Sequence, residues 1–159
     1  MSNDTLSAAL EREHHEIDAG IERFSVEPSS AEAVEALRAA MTALRRHIYL
    51  EEEFLFPALR EAGDAALVAP IFVMLREHGR MWQSLDALDR ALADGCDEST
   101  IWTTAHQLRA ALTHHNIKEE RIIYPETDRT LPPDAAARLA AFIGSGQMPS
   151  GWVAAKAKG

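Results

Sequence analysis

Apolar side chains recur every three or four positions along most of the chain, which is the spacing of one face of an amphipathic helix. The first such stripe follows residues 5–25, and similar stripes follow residues 31–60, 66–93 and 101–124. A shorter stripe follows residues 134–143. No segment of any length alternates with the period of a β-strand. The pattern therefore predicts an all-α protein with four long helices and one short one.

The connections between the four long stripes are short and rich in turn residues. They cover about residues 27–30, 63–64 and 94–97. Hydroxyl side chains that can cap a helix start stand before the stripes: Thr5 or Ser2, Ser29 or Ser30, and Ser99 or Thr100. Short connections join antiparallel neighbours, so the predicted fold is an up-down-up-down four-helix bundle with a short additional C-terminal helix.

The end of the chain differs in composition from the helices. Residues 146–159 are rich in glycine, contain Pro149 and end in two lysines, a composition typical of segments with little fixed structure. We expect one bundle domain over residues 1–145 and a partly disordered tail over residues 146–159. Trp152 is a side chain that can hold this tail against the bundle.

Composition narrows the possible partners. The 159 residues carry a formal net charge of −9, which disfavours nucleic acid and anionic membrane surfaces. The longest uncharged run, residues 139–155, is broken by glycines and a proline and does not predict a membrane span. The first residues do not resemble a signal peptide, and the single cysteine, Cys96, excludes an internal disulfide. We therefore expect a cytoplasmic protein.

The most informative segment occurs twice. Residues 47–57 and residues 115–125 both read His, three residues, Glu-Glu, four residues, Pro, and their numbers differ by 68 throughout. On a helix, a His and a Glu four positions apart project from the same face, one turn apart. The His and the Glu of each copy can therefore bind the same metal ion. The pairs concerned are His47 with Glu51, and His115 with Glu119.

A second, weaker repeat supplies two more histidines. Glu13-His14 on the first predicted helix matches Glu77-His78 on the third, with a difference of 64 in numbering. Each half of the chain is then a hairpin of one helix with an inward His and one helix with His-xxx-Glu. The candidate metal ligands are His14, His47, Glu51, His78, His115 and Glu119.

Two carboxylates on core stripes require a positive partner. A buried carboxylate without one costs several kcal/mol or has a strongly raised pKa. The nearby basic side chains, which are Arg45, Arg46, Lys118 and Arg121, fall off the stripes. Four imidazoles and two carboxylates in a bundle core suit a pair of iron or manganese ions with bridging carboxylates.

This arrangement resembles the hemerythrin-like (HHE cation-binding) domain family. The resemblance covers about residues 6–125, and the paired His-xxx-Glu-Glu…Pro segments are its most specific part. It implies a four-helix bundle with a non-haem di-iron centre held by the six candidate ligands. It also implies that Glu51, Glu119 and an oxo or hydroxo group bridge the two Fe ions. Zn or Mn ions are possible substitutes, because imidazole and carboxylate accept these metals too.

The sequence departs from the respiratory hemerythrins on the third helix. Those proteins place two His one turn apart, whereas the positions four before and four after His78 are Met74 and Trp82. On the fourth helix, His-xxx-Glu replaces the wider His-to-carboxylate spacing of the oxygen carriers. One fewer imidazole implies one more open or water-filled metal position. This favours reaction with peroxide or nitric oxide, or redox sensing, over reversible oxygen storage.

The predicted function is that of a hemerythrin-like di-iron protein that binds or reacts with dioxygen, peroxide or nitric oxide. Two alternatives remain open at this point. One is a small di-iron oxidoreductase that turns over peroxide or nitric oxide. The other is an iron- or oxygen-responsive sensor or interaction module, in which occupancy changes the stability of the fold. Nothing in the sequence names a protein partner.

Two ligand assignments also remain open. His15 adjoins His14, which the apolar stripe favours, and His114 adjoins His115 and would restore the wider spacing to Glu119.

Four further side chains have a simple interpretation and a functional one. Tyr49 and Tyr124 either pack at the ends of the bundle or donate a hydrogen bond to a ligand or to bound oxygen. His106 is half a turn out of phase with the stripe and is expected at the surface or behind a ligand. Cys96 lies in a polar loop and is interpreted as incidental rather than as a redox sensor.

Overall fold

The computed structural model describes residues 4–158, and this part of the chain contains helices and no strand. The α-helices are α1 (Leu6–Val26), α2 (Ala31–Leu50), α3 (Phe56–Glu61), α4 (Val68–Ala93), α5 (Glu98–Lys118), α6 (Tyr124–Thr130) and α7 (Pro133–Ser145). Two π-helical turns, Glu51–Leu55 and Glu119–Ile123, join α2 to α3 and α5 to α6 without a break. Two 3₁₀ turns cover Ala65–Leu67 and Ala155–Lys158.

The four long helices are thus α1, α2 with α3, α4, and α5 with α6, and α7 is the short additional one. Helix α1 packs along α2 and α5, and α4 packs along α5. This confirms the predicted all-α bundle with its short C-terminal helix. None of the helices within residues 4–158 combines the length and the apolar character that crossing a membrane requires.

Two separate apolar clusters form the core, and the polar candidates lie between them. One cluster contains Ile17, Leu44, Trp82 and Leu112, among others. The other contains Leu10, Leu50, Met74 and Ile123, among others. Each of the four long helices passes from one cluster to the other at or directly after its candidate histidine. The apolar stripes therefore hold the polar layer in place from both sides.

The helix starts follow the capping predictions in two cases and differ in one. Thr5 and Ser30 accept hydrogen bonds from backbone N–H groups three residues later, as predicted. The prediction of Ser99 or Thr100 as the cap of the fourth long helix is wrong. Asp97 accepts the bond from the Thr100 N–H at 2.8 Å, so α5 begins at Glu98. Aspartate caps as well as serine and better than threonine. Ser2, the alternative first cap, lies outside the described residues.

The two π-helical turns stand at equivalent places in the two repeats. In each, an N–H bonds to the carbonyl five residues earlier: Phe56 to Glu51, and Tyr124 to Glu119. A proline follows at once, at positions 57 and 125. Proline has no N–H and its ring clashes with the carbonyl four residues back, so an ordinary α-turn is disfavoured there. The wider turn lets the fourth long helix continue to Thr130, beyond its predicted end near residue 124.

The tail, for which composition predicts partial disorder, lies along α4 in this structure. Ala154 is fully buried in a core cluster. The indole N–H of Trp152 donates to Glu53 at 3.0 Å, and the Ala155 N–H donates to Glu52 at 3.0 Å. The backbone of Lys156 comes so close to Gly79 that a Cβ on that glycine would lie 2.6 Å from a carbonyl carbon.

Candidate metal centre

The structure brings all six candidate ligands into one buried layer. Each histidine is at most 4% exposed, and both carboxylates are fully buried. The residues concerned are His14, His47, Glu51, His78, His115 and Glu119. They come from four different long helices, which is the arrangement that the two repeats predict.

The six side chains form two groups that share both carboxylates. His14 and His47 with Glu51 and Glu119 make the first group, which we call the His14/His47 position. His78 and His115 with the same two glutamates make the second, the His78/His115 position. In each group, one ligand atom from every residue lies within 4.8 Å of the others. Such an arrangement can hold two cations side by side with Glu51 and Glu119 between them.

Three buried polar atoms in this layer have no hydrogen-bond partner: Glu51 Oε1, His78 Nε2 and Glu119 Oε2. They face one another, with Glu51 Oε1 at 3.2 Å and Glu119 Oε2 at 3.9 Å from His78 Nε2. A buried polar group without a partner costs roughly 1–3 kcal/mol, and more when it is charged. A cation coordinated by these atoms would satisfy all three, so the donor set fits a metal ion.

Each histidine is oriented by a second carboxylate that does not belong to the six. In every case the ring Nδ1 contacts a glutamate oxygen, and the Nε2 faces the centre of the layer. The pairs are His14 with Glu120 at 3.2 Å, His47 with Glu13 at 2.9 Å, His78 with Glu52 at 2.8 Å, and His115 with Glu77 at 2.9 Å. An ionised carboxylate only accepts, so Nδ1 is the donor and Nε2 is left for a metal ion.

These four backing glutamates were not identified from the sequence, although a signal for them exists. Two directly precede His14 and His78, and two directly follow Glu51 and Glu119. They therefore recur with the same two repeats as the candidate ligands. On a helix, adjacent residues project about 100° apart, so the helical period alone predicts that these four side chains face solvent. The adjacent helix supplies the histidine that each of them contacts.

Two basic residues support the backing carboxylates. Lys118 forms an ion pair with Glu77, and Arg46 lies 3.5 Å from Glu13 and also donates to the Gly146 carbonyl at 2.9 Å. Hydrogen bonds from His115 and Lys118 lower the pKa of Glu77 to about 2. The sequence correctly placed both basic residues off the core stripe, and the structure places them in an outer layer of charge compensation.

In the metal-free protein, the buried groups perturb one another strongly. Burial acts to lower the pKa of His47, but the charges of Glu51 and Glu13 outweigh it and hold that pKa well above 6.5. Burial acts to raise the pKa of Glu51, but His47 and His78 outweigh it and hold that pKa well below 4.5. Without a cation, imidazolium–carboxylate attraction therefore holds the layer together, although Glu51 Oε1, His78 Nε2 and Glu119 Oε2 make no well-aligned hydrogen bond.

Tyr124 is a further member of the site. Its hydroxyl lies 2.8 Å from His14 Nε2, 3.0 Å from His47 Nε2 and 2.8 Å from Glu51 Oε2. The residue is fully buried, and burial together with the charges of Glu119 and Glu51 raises its pKa well above 10. Of its two sequence interpretations, the structure supports the polar one. An α-helical period places Tyr124 roughly 180° from His115, and the π-helical turn brings it back to the inward face.

The other side chains that the sequence singled out lie away from the layer. His15, His114 and His106 are exposed, and His106 stacks on Trp102 with 4.7 Å between ring centroids. Tyr49 packs against Trp152 at 5.1 Å and against Phe142 at 5.4 Å, which agrees with its packing interpretation. Cys96 is exposed with a free thiol.

The chain is similar in sequence to a known domain family and to several curated proteins. The sequence model of the hemerythrin HHE cation binding domain matches residues 5–127. Relatives named iron-sulfur cluster repair protein YtfE, from Yersinia pestis (strain Pestoides F) and Yersinia pseudotuberculosis serotype O:1b (strain IP 31758), are 27% identical over 100 residues. The alignment covers 58% of this chain and 45% of each relative, so the chain spans about half the length of the curated relatives it matches. No solved structure matches the chain significantly.

Proposed function

This chain belongs to the hemerythrin HHE cation binding domain family, and from that premise we propose that it is a di-iron protein whose buried centre binds or reacts with dioxygen, peroxide or nitric oxide. The observation that carries the proposal is the set of unpartnered buried atoms on Glu51, His78 and Glu119. They belong to two four-residue groups that share both carboxylates. A pair of cations is the simplest partner for six buried ligands so arranged.

In this proposal, His14 and His47 would hold one ion, His78 and His115 would hold the other, and Glu51 and Glu119 would be shared by both. The backing glutamates keep every Nδ1 protonated and every Nε2 free to coordinate. The two apolar clusters exclude water from the layer. Iron held by these residues would supply the redox chemistry for a small ligand. Zn or Mn ions fit the same donors and are alternative occupants.

The first test measures metal content and the electronic spectrum of protein produced with iron. Two irons per chain with near-ultraviolet oxo-bridge bands are expected. Glu51→Gln removes one bridging oxygen and should lower iron content to one or none. Glu53→Gln is the matched control, because Glu53 is exposed and lies only two residues away. Protein without iron and with unchanged melting temperature after iron addition would contradict the proposal.

Addition of peroxide separates the carrier from the oxidoreductase. Repeated spectral cycling with loss of peroxide identifies an enzyme. A single spectral change without loss of peroxide identifies a binding protein. Metal-dependent melting with no spectral response to peroxide or nitric oxide identifies a sensor, because occupancy then acts through stability alone.

The relatives are named for iron–sulfur cluster repair, which suggests a role in such repair as a second candidate function, with the buried centre as the source of iron. The similarity on which it rests covers 45% of those proteins. Its test is transfer of iron from the loaded protein to a metal-free iron–sulfur protein in the presence of a thiol and sulfide. Iron that stays bound while the recipient remains empty would exclude this role.

A further inference from the structure

The two metal positions are not equivalent, because only one of them contains a phenol. The Tyr124 hydroxyl lies inside the His14/His47 position, within 3.0 Å of both of its imidazoles. It also lies 2.8 Å from Glu51 Oε2 and 3.4 Å from Glu119 Oε1. One phenol oxygen thus touches all four side chains that would hold the first ion.

The ring of Tyr124 is fixed where it stands. It is fully buried and stacks on His14, with 5.2 Å between ring centroids and 29° between planes. The π-helical turn Glu119–Ile123, directly before Tyr124, fixes its backbone, and Pro125 follows. A metal ion entering the His14/His47 position therefore meets an oxygen that cannot withdraw without opening a cavity in the core.

The equivalent residue in the other repeat carries no oxygen. Position 56 precedes Pro57 as position 124 precedes Pro125, and it is a phenylalanine. Phe56 is fully buried and stacks on His78 with 5.7 Å between centroids and 14° between planes. The three unpartnered atoms of the layer all face this second position. The His78/His115 position therefore has one oxygen donor fewer than its partner.

We propose that the phenolic oxygen of Tyr124 is a ligand of the ion at the His14/His47 position, which leaves the His78/His115 position as the one that takes an external small ligand. This inference deepens the proposed function and rests on it. When Tyr124 coordinates, the oxygen–metal bond forms, the phenol O–H bond breaks, and the proton passes to solvent. Phenolate is a hard oxygen donor that suits ferric iron.

The internal repeat provides a matched set of variants: Tyr124→Phe, Phe56→Tyr and the double exchange. Each change adds or removes a single hydroxyl within the same ring shape. Every variant is first checked for two irons per chain and for its melting temperature. Wild-type protein that binds no iron would contradict the di-iron proposal. The phenol proposal is judged only on proteins that hold two irons.

The first readout is the visible spectrum of the ferric protein, together with resonance Raman spectra. The wild type should show a phenolate-to-iron charge-transfer band with tyrosinate ring modes, and Tyr124→Phe should lose both while it keeps its iron. A phenol that only donates a hydrogen bond gives neither signal. Two bound irons without this band in the wild type would overturn the proposal.

The second readout is titration with azide, a small anion that binds open positions on ferric iron. The wild type should bind one azide per chain. In Phe56→Tyr the new hydroxyl occupies the second position, and azide should bind at least about tenfold more weakly, or about 1.4 kcal/mol. Tyr124→Phe should bind azide at least as well as the wild type. Unchanged azide affinity in Phe56→Tyr would show that the external ligand does not bind at the His78/His115 position.

Discussion

Glu52 and His78 are joined at 2.8 Å, with the imidazole Nδ1 donating to Glu52 Oε2. The other oxygen of the same carboxylate accepts the backbone N–H of Ala155 at 3.0 Å. Glu52 therefore connects the C-terminal tail to a candidate metal ligand. Glu52 directly follows the candidate bridging residue Glu51 in the chain. One helical turn therefore contacts both the metal layer and the tail.

The substitution Glu52→Gln should weaken metal binding. An amide has one acceptor oxygen, whereas the carboxylate uses two, so either His78 or Ala155 loses its acceptor. Loss of a partner that orients a metal-ligating His typically costs about 10- to 100-fold in affinity. Competition with a chelator measures the change. Glu53→Gln is the control, because its amide oxygen can still accept from the Trp152 indole. Equal affinities in the two variants would refute the orienting role of Glu52.

The substitution Gly79→Ala should detach the tail. An added Cβ would lie 2.6 Å from the carbonyl carbon and 2.7 Å from the oxygen of Lys156, and both are backbone atoms. Ala is otherwise more stable than Gly inside a helix by about 1 kcal/mol. We therefore expect a lower melting temperature and faster tryptic cleavage after Lys156 and Lys158.

Gly144→Ala is the matched control for that change. Gly144 is also helical, and an added Cβ there meets nothing within 4 Å. It should leave cleavage of the tail unchanged and raise stability by up to about 1 kcal/mol. If Gly79→Ala gave the same stabilisation and the same cleavage rate, the contact between α4 and the tail would not contribute to the fold.

The metal-free protein should lose stability as pH rises from about 6.5 to about 10. Burial acts to lower the pKa of His115, but the charge of Glu119 and hydrogen bonds to Glu119 and Glu77 outweigh it and raise that pKa to about 10. A histidine whose pKa is raised by folding stabilises the folded state below its unfolded pKa, near 6.5. That contribution disappears as pH passes through the folded pKa.

Melting temperatures of metal-free and zinc-loaded protein across this range test the prediction. Protons compete with metal for the same imidazole nitrogens, so the stabilisation due to zinc should increase with pH over the same interval. His115→Gln should flatten the slope of the metal-free protein. A metal-free melting temperature that rises with pH would contradict the assignment of these charges.

The sequence predicts the bundle well because its dominant signal is local. Each apolar stripe needs only the 3.6-residue period, and the polar interruptions at His47 and Glu51 stand out because they occupy core positions. The π-helical turns could not be derived in this way. A proline such as Pro125 is compatible with a helix end, a kink or a wider turn, and the choice depends on what packs around it.

Two tertiary features depend on such packing: the inward position of Tyr124 and the backbone contact between the tail and α4. Tyr124 falls on the wrong face if the α-helical period continues past Glu119, and only the π-helical turn brings it inward. Composition predicts partial disorder for the tail and does not record its contact with α4, which depends on the absence of a Cβ at Gly79, 77 residues before Lys156. Close approach of two backbones is a tertiary property that composition does not record.

The choice between adjacent histidines can be decided by paired substitutions. His14 is 4% exposed and directed at the layer, whereas His15 is exposed, and His115 and His114 differ in the same way. His14→Gln and His115→Gln each remove an Nε2 that faces the layer, so metal affinity should fall by more than about 100-fold, beyond the loss of an orienting partner. His15→Gln and His114→Gln should retain wild-type affinity, since both side chains are exposed. Circular dichroism of the metal-free variants separates loss of a ligand from loss of the fold. If His15→Gln lost metal while His14→Gln kept it, the first metal position would have to lie on the outer face of α1, and the buried layer would not be the site.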